Sequence, residues 1–161
     1  MRSLPLHYAL HSGRGIDALS PRTFHDIARL RQEVFVVEQD CAYLDLDGRD
    51  AEPATTQFWI ERHDEESLPS APTVAATLRV LDEGAREPGL HAIGRVATAA
   101  AHRGNSLAAA LMEAVVAAYG DGPLVLEAQS HLTGWYERFG FTVAGAEYLE
   151  DGIPHTPMRR G

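Results

Sequence analysis

The stretch from Ile93 to Tyr119, IGRVATAAAHRGNSLAAALMEAVVAAY, restricts the fold more than any other part of the chain. It opens as a short apolar run at Ile93, Val96 and Ala97, then bends through small residues into His102-Arg103-Gly104-Asn105-Ser106. Beyond the bend, Leu107, Leu111, Val115 and Ala118 recur at helical spacing, with Met112 and Tyr119 beside them. Gly120-Asp121-Gly122-Pro123 stops the helix. Leu124-Val125-Leu126-Glu127-Ala128 is then a short apolar run bounded by turn signals, a buried strand. Strand, helix and strand make a βαβ unit, which implies parallel pairing and a right-handed crossover.

The first turn of a helix leaves backbone N–H groups without intrahelical partners, and the macrodipole adds partial positive charge there. Such an end suits a phosphate when small residues let the ligand approach the backbone. Arg103 adds a formal charge and a forked donor. The bend therefore reads either as a pyrophosphate site or as a plain connection carrying an exposed arginine. Familiar nucleotide motifs do not fit: Gly104 lacks the companions of G-x-x-x-x-G-K-[ST] and of G-x-G-x-x-G. Ser106, in Gly104-Asn105-Ser106-Leu107-Ala108, does not form a G-x-S-x-G nucleophile elbow.

Around this unit, Leu6–Leu10 alternates enough for an edge strand. Ser20-Pro21 starts a helix whose stripe is Phe24, Ile27, Leu30, Val34 and Phe35. The run Val34–Gln39 is expected to leave that helix for an irregular acidic stretch reaching Asp50. Thr55–Glu61 and Thr73–Leu81 are strands by β-branched and aromatic content, paired as a hairpin across a charged, proline-bearing loop over 62–72. Leu132, Trp135, Tyr136 and Phe139 mark a short helix ending at Gly140. Phe141–Glu147 and Pro154–Arg159 are the last strands. The order β–α–βββ–α–β–α–ββ describes a mixed α/β domain, with no internal repeat or linker across residues 1–161.

The composition narrows the function. With 161 residues and 45% hydrophobic side chains, the chain has the material for one ordinary core. A formal charge of −9 argues against a nucleic-acid partner. It is compatible with a cationic substrate such as an amine, and equally with plain solubility. All 14 Lys+Arg residues are arginine, so the protein cannot itself be acetylated on lysine. Cys41 is the one cysteine and cannot form an internal disulfide. No membrane-length apolar run or signal peptide is present, so a cytoplasmic location without membrane attachment is expected.

Asp45, Asp47, Asp50 and Glu52 resemble a calcium loop only loosely, because Gly48 comes two places too early for an EF-hand. They are expected to be a solvated acidic turn, and no metal is expected. Arg79 and Arg95 fall on inner strands, where an unpaired charge is costly, so each is expected to meet a carboxylate or to border a substrate cleft.

Two motifs now coincide. Arg103-Gly104-Asn105-Ser106-Leu107-Ala108, between strand and helix, resembles the acetyl-CoA pyrophosphate loop of the GNAT N-acetyltransferase superfamily, [RQ]-x-x-G-x-[GA]. Tyr136-Glu137-Arg138-Phe139-Gly140-Phe141 resembles that superfamily's Y-x-x-x-G-F segment. A narrower resemblance to the ElaA-like branch covers Arg31–Gln39, Cys41–Tyr43, Asp45–Asp47, Ile93–Val96, Ala128–Leu132 and Glu150–His155. Ser106 departs from the superfamily loop, where glycine is usual; a negative φ would accommodate it.

The resemblance implies a GNAT-like acyl-CoA N-acyltransferase fold, a mixed central sheet with flanking helices. It also implies direct transfer of an acetyl group from acetyl-CoA to a primary amine of a small molecule or peptide. It assigns the cofactor to Val96, Ala97, Thr98, Arg103, Gly104, Asn105, Ser106, Leu107, Ala108, His131 and Tyr136. Backbone groups of Val96–Thr98 would polarise the thioester carbonyl, an effect worth about 3 kcal/mol per donor. Tyr136 matches the family's general acid near the CoA sulfur. His155 is the first candidate for the base and Glu38 the second, with Glu150, His131 and a bound water behind them. A non-catalytic acyl-CoA-binding sensor or scaffold module is the competing reading, and a homodimer is compatible with either. Acceptor specificity is expected in the loops 40–53 and 62–72.

Overall fold

A computed structural model describes residues 3–63 and 73–161, so most of the loop expected over 62–72 lies outside the described residues. The βαβ unit forms as β4 (His91–Thr98), α2 (Leu107–Tyr119) and β5 (Leu124–Gln129). β4 and β5 pair in parallel over His91–Ile93 and Leu124–Leu126. Before them come β1 (Tyr8–Arg14), α1 (Pro21–Arg31), β2 (Thr56–Arg62) and β3 (Thr73–Asp82). After them come α3 (Thr133–Glu137), β6 (Thr142–Val143), β7 (Tyr148–Glu150) and β8 (Ile153–Arg160). Among the described residues these strands make one mixed sheet in the order β1-β2-β3-β4-β5-β8-β6, with β7 also paired to β8.

One helix covers each face. Leu107, Leu111, Met112 and Val115 of α2 pack on Phe58, Ile60, Leu78, Val80 and Leu126, which alternate to that side of their strands. Ile27 and Leu30 of α1, with Val34 just after it, pack on Trp59, Val74 and Ala97 on the other side. α1 starts where expected: the Ser20 hydroxyl accepts the Thr23 N–H at 3.0 Å, and Pro21 occupies the first turn.

Three expectations need correction. The first strand runs over Tyr8–Arg14, later than Leu6–Leu10. The chain does not leave the helix at Val34. It continues over Gln32–Glu38 as a π-helix, and the Gln39 N–H bonds the Val34 carbonyl at 3.0 Å. The strand expected over Phe141–Glu147 breaks after Val143. There the Ala144 N–H reaches the Pro157 carbonyl, but Pro157 has no N–H to return. Pairing resumes as β7 at Tyr148 opposite His155.

Candidate active site

The cleft begins where β4 parts from β5. Their pairing stops at Ile93 and Leu126, although β4 continues to Thr98 and β5 to Gln129. The cause is a bulge: Thr77 pairs with Ala97 but Arg79 with Gly94, so Leu78 faces both Arg95 and Val96. Arg95 sits at φ 56°, a left-handed conformation that costs a non-glycine residue about 1–2 kcal/mol. Between the splayed edges lies a cavity of about 500 Å³, lined by Gly94, Arg95 and Val96 on one side and by Glu127 and Gln129 on the other.

At the end of β4 the chain turns into the loop before α2. Gly104 has φ 81° and Ser106 has φ 58°. The negative φ that would accommodate Ser106 is therefore not met; the loop needs a left-handed residue there, which is why glycine is the easier choice. The Asn105 side chain braces the turn, donating to the His102 carbonyl at 3.0 Å. Tyr8 holds the preceding turn through a 2.9 Å bond to His102. The first helical bond from this end runs from the Ala110 N–H to Ser106, leaving the Leu107, Ala108 and Ala109 N–H groups free of helical partners. A Cβ built on Gly104 would meet nothing within 4 Å. Gly104, Asn105 and Ser106 line a pocket with Ser3, Leu4 and Pro5, and a helix start of this kind suits an anion such as a diphosphate.

Arg103 is not free in this conformation. It donates to the Thr98 carbonyl at 3.2 Å and to the Glu38 carboxylate at 2.7 Å. The Arg103 hydrogen bond holds the Glu38 carboxyl below its ordinary range. Glu38 thus stands at the loop and not among the residues lining the cavity, and a carboxylate so stabilised is a weak proton acceptor. His131 sits on the turn after β5, and it too is absent from the lining.

Tyr136 and His155 do share the cavity, with Glu150 and Asp151 close by. Tyr136 is buried, and burial pushes its phenol up to about 12, so it keeps its proton through the neutral range. The Nδ1 of His155 lies 2.9 Å from the Ile153 carbonyl. A carbonyl only accepts, so Nδ1 carries the hydrogen and neutral His155 has its lone pair on Nε2. That Nε2 is 3.9 Å from the Glu150 carboxylate. Cys41 also lines the cavity, but burial first, then Asp151, Asp40 and Glu150, push its thiol up, which disfavours the thiolate a nucleophile needs.

The acidic stretch is the largest departure from expectation. It is not a solvated turn: Asp45 and Asp50 are buried, 4% and 5% exposed. Fully buried Arg31 donates to Asp45 Oδ2 at 2.9 Å, to the Asp45 carbonyl at 2.9 Å and to Asp50 Oδ1 at 2.7 Å. Arg79 forks onto Asp47 with two bonds of 2.8 Å and reaches Asp50 at 3.0 Å. Arg95 lies 2.9 Å from Asp45 and 3.3 Å from Asp47, over the Tyr43 ring. Three guanidinium groups thus meet three carboxylates, as the positions of Arg79 and Arg95 implied. The network straps residues 40–52 over the sheet, carries Tyr43 and Asp47 into the cavity wall, and holds Arg95 in its bulge conformation.

A family profile described as "Acetyltransferase (GNAT) domain" matches residues 73–160, over half of the 161-residue chain. The chain belongs to the GNAT acetyltransferase family. A UPF0039 protein of Mycobacterium tuberculosis is 42% identical over 142 residues, which are 88% of this chain and 86% of that protein. Protein ElaA of Escherichia coli is 36% identical over 147 residues, 88% of this chain and 90% of ElaA. The crystal structure of ElaA matches this GNAT fold with TM-score 0.80 at 30% identity, over 96% of this chain and 99% of that one. An acyl-CoA N-acyltransferase from Pseudomonas aeruginosa matches with TM-score 0.81 at 36% identity, over 96% and 99%. The fold is the GNAT acyl-CoA N-acyltransferase fold, and acyl-CoA-dependent acyl transfer is the chemistry that the family supports.

Sequence reasoning missed Tyr43, Gln39 and Gln129 as cavity residues, although Gln129 donates to Gln39 at 3.0 Å across the cleft. Only the arginines on inner strands signalled that the acidic stretch folds inward.

Proposed function

We propose that this protein is an N-acetyltransferase, moving an acetyl group from acetyl-CoA directly to a primary amine of a small molecule or peptide. The observation that carries the reading is the splayed β4–β5 cavity, which holds Tyr136 and His155, beside a strand, β4, whose chain leads on into the helix start of α2. Acetyl-CoA supplies the activated acyl group as a thioester. Arg103 and the amides of Gly104–Ala108 hold the diphosphate, and Arg103 leaves Glu38 to do so. The unpaired β4 edge at Val96–Thr98 offers backbone donors for the thioester carbonyl. His155 Nε2 takes a proton from the attacking amine, and Tyr136, protonated across the neutral range, gives one to the departing thiolate.

Glu127, Glu150 and Asp151 on the cavity wall favour an acceptor that arrives as an ammonium ion. His131 is left to a contact beyond the cavity. The reading treats residues 1–161 as one domain. A cytoplasmic location belongs with it, supported by the free thiol of Cys41; among the described residues no helix is long and apolar enough to cross a membrane.

Thiol release from acetyl-CoA across a panel of mono- and diamines tests the reading, with calorimetric binding of CoA alongside. Turnover with an amine supports it. Tight CoA binding with no release from any amine favours the sensor or scaffold, and no CoA binding ends both.

A further inference from the structure

We propose that His11, Glu61 and His63 form a binding site for one divalent transition-metal ion of the zinc type, at the β1 edge of the sheet and away from the cleft. No motif spacing announces it, because strand pairing brings the residues together. The antiparallel register puts His11 opposite Trp59. Glu61 and His63 follow Trp59 at two-residue steps, so their side chains emerge on the same face. The ladder extends to that end, where the His63 N–H donates to the His7 carbonyl at 2.8 Å.

The donors are already close. Glu61 Oε2 lies 3.5 Å from His11 Nε2 and 3.8 Å from His63 Nε2, and all three ligand atoms fall within 4.8 Å of one another. Zinc with ligands at 2.0–2.1 Å in tetrahedral geometry spaces its donors about 3.4 Å apart. The two distances to Glu61 therefore have only to shorten by a few tenths of an ångström around an ion. The other Glu61 oxygen accepts the Trp59 indole N–H at 2.9 Å. That bond orients the carboxylate, as supporting contacts do at metal sites. The His11 ring stacks on Trp59 at 5.5 Å between centroids.

His11 Nε2 is the second observation. It is shielded from water and has no hydrogen-bond partner among the described residues. A buried nitrogen left so is costly, and a cation between it and the carboxylate would satisfy both. Two imidazoles and one carboxylate are donors for zinc-type ions rather than for calcium or magnesium, which take oxygen ligands. The half-exposed His63 gives an ion access from solvent and leaves further coordination positions to water.

The test uses the full chain, stripped with chelator and freed of any histidine tag. Zn²⁺ is titrated calorimetrically, and Co²⁺ is followed by visible absorption and by quenching of tryptophan fluorescence in a Trp135→Phe background, which leaves Trp59 as the one indole. One equivalent of Zn²⁺ is expected to bind, with absorption bands from Co²⁺ bound to nitrogen ligands. His63→Ala is expected to weaken Zn²⁺ at least about tenfold, the scale on which even supporting contacts of metal sites act. Because that ring is half exposed, the variant keeps its fold, which circular dichroism checks. Absence of saturable one-to-one binding overturns the proposal, as does equal affinity in His63→Ala, which would place the ion elsewhere.

Discussion

At the start of α2 the chain relies on backbone: left-handed Gly104 and Ser106, three amides without helical partners, and one arginine held loosely at the surface. Under the strap beside the cleft it relies on side chains, with Arg31, Arg79 and Arg95 holding Asp45, Asp47 and Asp50, of which Asp45 and Asp50 are buried. A backbone site tolerates changes of side chain as long as φ is kept. A charge network does not, because each partner removed leaves an opposite charge buried. The two regions should therefore answer mutation differently, one in ligand affinity and the other in stability.

The largest effect is expected at Asp50, which touches both Arg31 and Arg79 and accepts from Gln57 at 2.8 Å. Asp50→Asn should lower unfolding free energy by about 3–5 kcal/mol, read from urea denaturation at neutral pH. A loss below about 1 kcal/mol would mean that the strap is not held by charge. Acid gives a second reading of the same region. Arg79 bonds hold Asp47 well below its ordinary 3.8. For Asp50, burial pushes upward, but Arg31, Arg79 and Gln57 outweigh it and the net direction is also down. Both groups are lowered by folding, so their stabilisation is complete above about pH 5 and is lost as pH falls through and below 4. The wild-type melting temperature should drop over that range more steeply than that of Asp50→Asn.

Next in size is the chemistry in the cleft. Tyr136→Phe should reduce kcat by about 100-fold, the lower end of what a positioned acid contributes, and leave the KM for acetyl-CoA near its wild-type value. His155→Ala should also reduce kcat, since the Nε2 acceptor is gone. An unchanged kcat in Tyr136→Phe would remove the phenol from the mechanism and leave it as a packing residue beside Trp135 and Phe141.

The same contrast explains what was legible in the sequence. The α2 start is contiguous: strand, small-residue bend and helix follow one another, so spacing alone located these elements. The strap is assembled from Arg31, Asp45–Asp50, Arg79 and Arg95, and nothing local distinguishes its aspartates from a solvated turn. Pro157 shows the same blindness from another side, since its missing N–H ends pairing in β6, a distant segment. The φ of Ser106 was not legible because φ at a loop position follows from the loop's path, and residue type only sets its cost. Ser106→Gly should relieve that strain and raise stability by about 1 kcal/mol, measured by the denaturant midpoint. A loss of stability would mean that the serine hydroxyl contributes more than its backbone costs.

The smallest effect discriminates most sharply between roles. Glu38 and Arg103 are each about half exposed, and water screens such pairs, so breaking this one should barely move stability. Glu38→Gln instead releases Arg103 for the diphosphate. The KM for acetyl-CoA should then fall by about two- to fivefold while kcat stays level. If Glu38 were the base, the same substitution would collapse kcat and leave KM alone. Its bond to Arg103 already lowers its readiness to take a proton, which favours the first outcome. Steady-state kinetics of this one variant therefore decide whether the carboxylate competes with the diphosphate or acts on the amine.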